Sequence, residues 1–147
     1  MTIRVLVADD QAMIRGALAG LLDLERDIEV VAQAADGAQA LDELARLASA
    51  DAPAHASAPV DVAIIDVEMP RMDGITATQA IRERFPGVRV LIVTTFGRPG
   101  YLQRALDAGA TGFTVKDAPV ETLAEGVRTV AAGGRAIDQN LALEALA

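Results

Sequence analysis

The chain has no cysteine and a single histidine. The first absence excludes disulfides, thiolate metal sites and thiol nucleophiles. The histidine, His55, stands among Ala, Pro and Ser residues, which argues against a histidine-rich metal site and against a nucleophile triad. Aromatic residues make up only 3%, too few for an all-β domain, which draws on aromatics and threonine for its sheets. Positive charge is also scarce. Lys and Arg together number 13 against 21 Asp and Glu, for a net charge of −8, and an acidic domain is a poor direct binder of nucleic acid. No apolar run approaches the roughly 18 residues of a membrane span, and no leader pattern opens the chain. A soluble chain with no membrane partner, cytoplasmic by default, is expected.

What is present is an apolar fraction of 52% in 147 residues, enough for one domain with its own core. Apolar runs alternate with helix-period segments. Strands are expected at Ile3–Ala8, Ile28–Ala34, Val60–Asp66, Val88–Thr94 and Gly112–Lys116, with helices around Ala12–Asp23, Ala38–Ala48, Ile75–Arg84, Gly100–Ala108 and Val120–Ala132. This is the pattern of an α/β doubly wound parallel sheet. Asp36-Gly37, Asp73-Gly74, Pro86-Gly87 and Gly133-Gly134 supply turn and stop signals at the junctions. Ser49–Pro59, rich in Ala, Pro and Ser, reads as a flexible surface loop. Residues 1–132 form the expected domain. Residues 133–147 form a tail that starts polar and turns apolar and helix-like at Leu141–Leu146.

The chemistry-bearing residues stand at the C-terminal ends of the apolar runs: Asp9 and Asp10 after the first, Asp66 at the end of the third, Thr94 at the end of the fourth and Lys116 closing the last. In open α/β sheets ligands bind at that edge. With the first and third strands adjacent, three carboxylates converge, and at least one would take up a proton unless a cation sat among them. An oxygen-only donor set suits a hard divalent ion, Mg²⁺ foremost, which retains waters and leaves room for a phosphate oxygen. Helix capping would explain one of Asp9 and Asp10, but not both, and not Asp66. Asp66 is the candidate nucleophile toward an activated phosphorus. Lys116 would offset charge on the phosphoryl oxygens, and the Thr94 hydroxyl would donate to them.

The segments Val7-Ala8-Asp9-Asp10, Ile65-Asp66-Val67-Glu68-Met69-Pro70-Arg71-Met72-Asp73-Gly74, Ile92-Val93-Thr94-Thr95 and Phe113-Thr114-Val115-Lys116, in this order, resemble the receiver domain of two-component response regulators. The resemblance covers residues 3 to about 132. It implies a (βα)5 flavodoxin-like fold with sheet order 2-1-3-4-5, and phosphoryl transfer to Asp66 from a sensor histidine kinase. It also implies Mg²⁺ held by Asp10, Asp66 and the backbone carbonyl of Glu68, with Asp9 helping through water, and a switch pair in Thr94 and Phe113. Such a domain transfers phosphate only to and from itself and is not a conventional enzyme. Lys116-Asp117-Ala118-Pro119 and the Thr95–Tyr101 segment are similar to the NarL/LuxR-type class of transcriptional regulators, in which a DNA-binding helix-turn-helix domain follows the receiver. The chain stops where a linker to that domain would begin, as a piece of a longer regulator or, alternatively, a stand-alone or phosphate-independent receiver-like module.

The first helix carries an apolar stripe including Ile14, Leu18 and Leu21, and the last helix carries Leu123 and Val127. Most of such a stripe is core; the remainder is the expected face of a homodimer formed on phosphorylation, with the fourth helix (Tyr101, Leu102) as the second choice. Glu68 and Phe96, two residues past Asp66 and Thr94, are expected to slow hydrolysis of the phosphoryl group. A rival reading is a hydrolase of the haloacid-dehalogenase type. That chemistry wants a second Asp two residues after the nucleophile, where this chain has Glu68.

Overall fold

The computed structural model describes residues 2–49, 58–94, 100–116 and 118–137. In chain order the elements are β1 (Ile3–Ala8), α1 (Ala12–Asp23), β2 (Ile28–Ala34), α2 (Gly37–Ser49), β3 (Val62–Asp66), α3 (Gly74–Arg84), β4 (Arg89–Thr94), α4 (Tyr101–Ala108), β5 (Gly112–Val115), α5 (Val120–Ala131) and β6 (Ala136–Ile137). The strands form one parallel sheet in the order β2-β1-β3-β4-β5-β6. Among the described residues no helix is long and apolar enough to cross a membrane.

The sheet is covered on both faces because each central strand is apolar at every position while its side chains alternate sides. Leu6 and Ala8 of β1, Ala63 and Ile65 of β3, and Val90 and Ile92 of β4 pack against α2, α3 and α4 through Leu41, Leu44, Ile75, Ile81, Leu102 and Ala105. The intervening residues, Val5 and Val7, Val62 and Ile64, Leu91 and Val93, pack on the other face with Leu22 of α1 and Leu123, Val127 and Val130 of α5. Two layers of core thus fix β1, β3 and β4 side by side, and with them the polar residues at their C-terminal ends.

The expected elements are all present, with small corrections. β3 begins at Val62, two residues later than expected: the Asp61 side chain accepts the Arg4 N–H at 2.8 Å, and Pro59 has no N–H to donate. Val88 is taken up in a turn onto the Phe85 carbonyl, so β4 begins at Arg89. α5 ends as expected. Gly133, at φ 95°, turns the chain left-handed, and Gly134 N–H reaches back to the Thr129 carbonyl at 2.9 Å, which satisfies carbonyls at the helix end. Beyond it lies an unexpected sixth strand: Ala136 and Ile137 pair with Gly112 and Phe113, carrying the sheet past residue 132. Pro59, expected in a surface loop, is buried. His55 and the apolar segment Leu141–Leu146 lie outside the described residues.

Candidate functional site

Asp9 follows directly on β1, held there by its own N–H on the Ala34 carbonyl of β2 at 3.0 Å. Asp66 is the last residue of β3, and Thr94 the last of β4. Lys116 follows β5 and stays in the ladder through its N–H to the Thr94 carbonyl at 2.8 Å. The four side chains therefore share one edge of the sheet. Gly74 is required below them: a β-carbon there would lie 2.2 Å from the Asp66 carbonyl oxygen.

Carboxylate oxygens of Asp9, Asp10 and Asp66 all lie within 4.8 Å of one another. Asp9 and Asp66 are buried and Asp10 is exposed. The Lys116 ammonium bridges the two buried members, 3.2 Å from Asp9 Oδ2 and 3.1 Å from Asp66 Oδ2. Neither Asp9 nor Asp10 caps α1: the N-cap is Gln11, with no side-chain cap bond, and Asp9 Oδ1 accepts the Gln11 N–H at 2.9 Å. Capping thus fails to explain the pair. Around the cluster lies an open cleft of about 320 Å³ lined by Asp10, Gln11, Ile14, Asp66, Glu68 and Lys116.

Three carboxylates share one ammonium among the described residues, leaving two negative charges uncompensated when all are ionised. Asp66 registers the imbalance. Burial raises its pKa to about 6, reinforced by the Asp9 charge and opposed by Lys116 and the Glu68 N–H. For Lys116, burial pulls the pKa down, but the bonds and charges of Asp66 and Asp9 outweigh it and raise it. An oxygen-only set with two spare negative charges, open to solvent at Asp10, fits a hard divalent cation that keeps waters.

Thr94 and Phe113 are both buried. Phe113 already packs in the core on the α2–α4 side, so an aromatic that travels inward on switching would start from the inward position. Phe96 and Thr95 lie outside the described residues, as does Asp117; Glu68 is exposed. Of the expected dimer residues, Leu21 is exposed and Ile14 and Leu18 are half-buried, but Leu123 and Val127 are 4% and 0% exposed in the core beneath α5. The last two are corrected: the β-sheet, not a second chain, covers that stripe.

Sequence reasoning missed Arg15, whose guanidinium donates to the Asp9 carbonyl at 2.8 Å and fixes the Asp9–Asp10 peptide. It also missed the pairing of Asp36 with Arg71. Asp36-Gly37 gave only a turn signal, and nothing in the local pattern joins residues 35 apart.

Residues 5–128 match the family model described as response regulator receiver domain. Transcriptional regulatory protein DesR of Bacillus subtilis is 40% identical over 90% of this chain and 60% of its own length. Oxygen regulatory protein NreC of Staphylococcus epidermidis is 37% identical over 94% of the chain and 59% of its own length. The chain thus spans about three-fifths of these curated relatives. Among solved structures, a LuxR-family two-component response regulator from Aurantimonas superposes with a TM-score of 0.86 at 27% identity, covering 99% of this chain and 96% of that one. The signal receiver domain of a NarL response regulator from Mycobacterium tuberculosis gives 0.77 at 33% identity, covering 90% and 98%. The sheet order, the strand-end carboxylates bridged by a lysine and the matched span agree, and they leave the hydrolase reading without support: the chain belongs to the response regulator receiver domains, in their NarL/LuxR-type class.

Proposed function

We propose that Asp66 is the phosphoacceptor of this receiver, charged by the phosphohistidine of a sensor histidine kinase. The observation that carries the reading is Lys116 bridging two buried carboxylates beside an exposed third, at the C-terminal edge of a parallel sheet. An Asp66 carboxylate oxygen attacks phosphorus in line; the P–N bond breaks, its electron pair leaves with the imidazole, and an acyl phosphate remains. Asp10, Asp66 and the Glu68 carbonyl would hold Mg²⁺, with Asp9 reaching it through water; when bound, the ion neutralises charge on the transferring oxygens. Lys116 then exchanges its contact with the Asp66 carboxylate for a phosphoryl oxygen, and Thr94 donates its hydroxyl from the adjacent strand end. Phe113 has no phenolic hydrogen bond to offer, so its burial alone can follow the move of Thr94.

The phosphorylated form acts by dimerising, and DNA is reached through a helix-turn-helix domain beyond this chain, in the cytoplasm. Exposed large apolar side chains among the described residues are Met13 (88%), Leu21 (44%) and Leu24 (77%), all on α1 or at its C-cap, which favours that helix as the dimer face.

The test is intact mass after incubation with a small phosphodonor and Mg²⁺, beside Asp66→Asn. Gain of one phosphoryl group that needs both Mg²⁺ and Asp66 is expected. No gain from either a small donor or a phosphorylated kinase, in a folded chain, would leave a phosphate-independent interaction module.

A further inference from the structure

Outside the acidic cleft the chain encloses one more carboxylate, at the corner between β2 and α2. Asp36 is 0% exposed. Its Oδ1 accepts the Gln39 N–H at 2.8 Å and caps α2, while Gln39 Oε1 takes the Ala35 N–H at 2.9 Å, a close relative of the reciprocal capping box. Capping uses one oxygen. The other, Oδ2, accepts from both Nε (2.7 Å) and Nη2 of Arg71, whose side chain is 66% exposed. Beside this pair the Gly37 N–H donates to the Met72 carbonyl at 3.1 Å. The two backbones come so close that a β-carbon on Gly37 would lie 2.7 Å from that oxygen.

Arg71 has φ 64°, the one positive value at a non-glycine among the described residues. Glycine or asparagine fits that backbone with less strain. An arginine there needs a reason, and the turn delivers its guanidinium to Asp36. Residues 67–73 form the loop that leaves Asp66. Its near end is tied by Val67 N–H to the Val93 carbonyl (3.3 Å) and by Gly74 N–H to the Val67 carbonyl (2.8 Å), while Asp73 caps α3 through the Thr76 N–H. The bonds from Arg71 and Met72 to the β2–α2 corner tie its far end. Glu68 lies between the two ties, and its N–H bonds the Asp66 carboxylate.

We propose that the Asp36–Arg71 pair is a positioning device for phosphoryl acceptance: it holds the β3–α3 loop so that the Glu68 peptide is set for the metal, though neither residue touches the reacting atoms. This rests on the functional reading above. Partners that orient metal ligands from behind commonly change metal affinity by 10-fold or more when lost.

The test measures Mg²⁺ affinity of the unphosphorylated chain by titration calorimetry for the parent, Arg71→Gly, Arg71→Lys and Asp36→Asn, with amide exchange across residues 67–72. Arg71→Gly removes the pair while easing the backbone, so overall stability should change little. Loss of a nearby cation should by itself tighten Mg²⁺ binding; loss of positioning should weaken it, and the sign separates the two. We expect affinity about 10-fold weaker, faster exchange confined to the loop, and partial recovery in Arg71→Lys. Parent-like or tighter Mg²⁺ binding in Arg71→Gly overturns the proposal. Should the parent bind no Mg²⁺, the functional reading fails by itself; exchange in metal-free protein then decides the strut, with unchanged loop rates in Arg71→Gly overturning it and faster rates sustaining it.

Discussion

Asp66 and Asp36 are both buried carboxylates near the C-terminal ends of neighbouring strands' elements, yet their acidities move in opposite directions. Asp66 is pushed up to about 6, first by burial and then by the charge of Asp9, against the pull of Lys116 and the Glu68 N–H. Asp36 is held below the ordinary carboxylate value, first by the Gln39 N–H and then by Arg71, against its own burial. Burial penalises both. The difference lies in how many donors each carboxylate commands: Asp36 has a helix N-terminus and a guanidinium to itself, whereas Asp66 shares one ammonium with Asp9. The acidic cleft is left short of positive charge where the functional reading brings in a cation, and the strut is complete without one.

Removing the shared cation should break this contrast most severely. Lys116→Ala strands two buried carboxylates, and losing one partner of a buried ion pair typically costs roughly 3 kcal/mol or more. In chelator at neutral pH the variant should unfold at markedly lower urea, and saturating Mg²⁺ should recover much of the loss. A variant as stable as the parent in chelator would mean that solvent already screens the cluster.

Why the cleft was legible in the sequence and the strut was not follows from how each is built. Asp9, Asp66, Thr94 and Lys116 each end an apolar run, and the parallel sheet turns those sequence positions into one spatial edge. Periodicity therefore located the site and set β1, β2 and α1 to the residue. Arg71 ends no run and lies in no periodic element; its meaning comes from a left-handed backbone and a partner on another loop. The two-residue β6 is too short to show alternation. The stripe Leu123 and Val127 was correctly apolar, but a helical period says only that one face is covered, not by what; β1, β3 and β4 claim it.

The two carboxylates should also separate along the pH axis. Asp66 has a folded pKa of about 6 against an ordinary 3.8, so the native state holds the extra proton between those values. Stability then falls as pH rises from about 4 to 6, with the full penalty above. Asp36 is shifted the other way; its contribution is complete above 3.8 and is lost as pH falls through its lowered folded value. Urea unfolding in chelator from pH 3 to 7 should show Asp66→Asn flattening the upper window and Asp36→Asn flattening the acid limb. An Asp66→Asn curve parallel to the parent's between pH 4 and 6 would contradict the crowding of the cleft.

The smallest expected effect extends the comparison to a buried polar group with no partner at all. Thr114 Oγ1 on β5 is enclosed without a hydrogen bond, beside a groove of about 270 Å³ lined by Thr122, Gly126, Thr129 and Ala136 among others. Thr114 lies between Phe113 and Val115, and valine would reproduce its shape without the hydroxyl. An unsatisfied buried hydroxyl commonly costs about 1 kcal/mol or more, so Thr114→Val should gain up to about 1 kcal/mol, read as a higher urea midpoint at unchanged slope. A loss instead would show that the hydroxyl is satisfied in solution, by water entering along the α5–β6 groove. Thr114 would then join Asp36 among the compensated polar groups, leaving the cleft at Asp66 as the place where compensation is withheld.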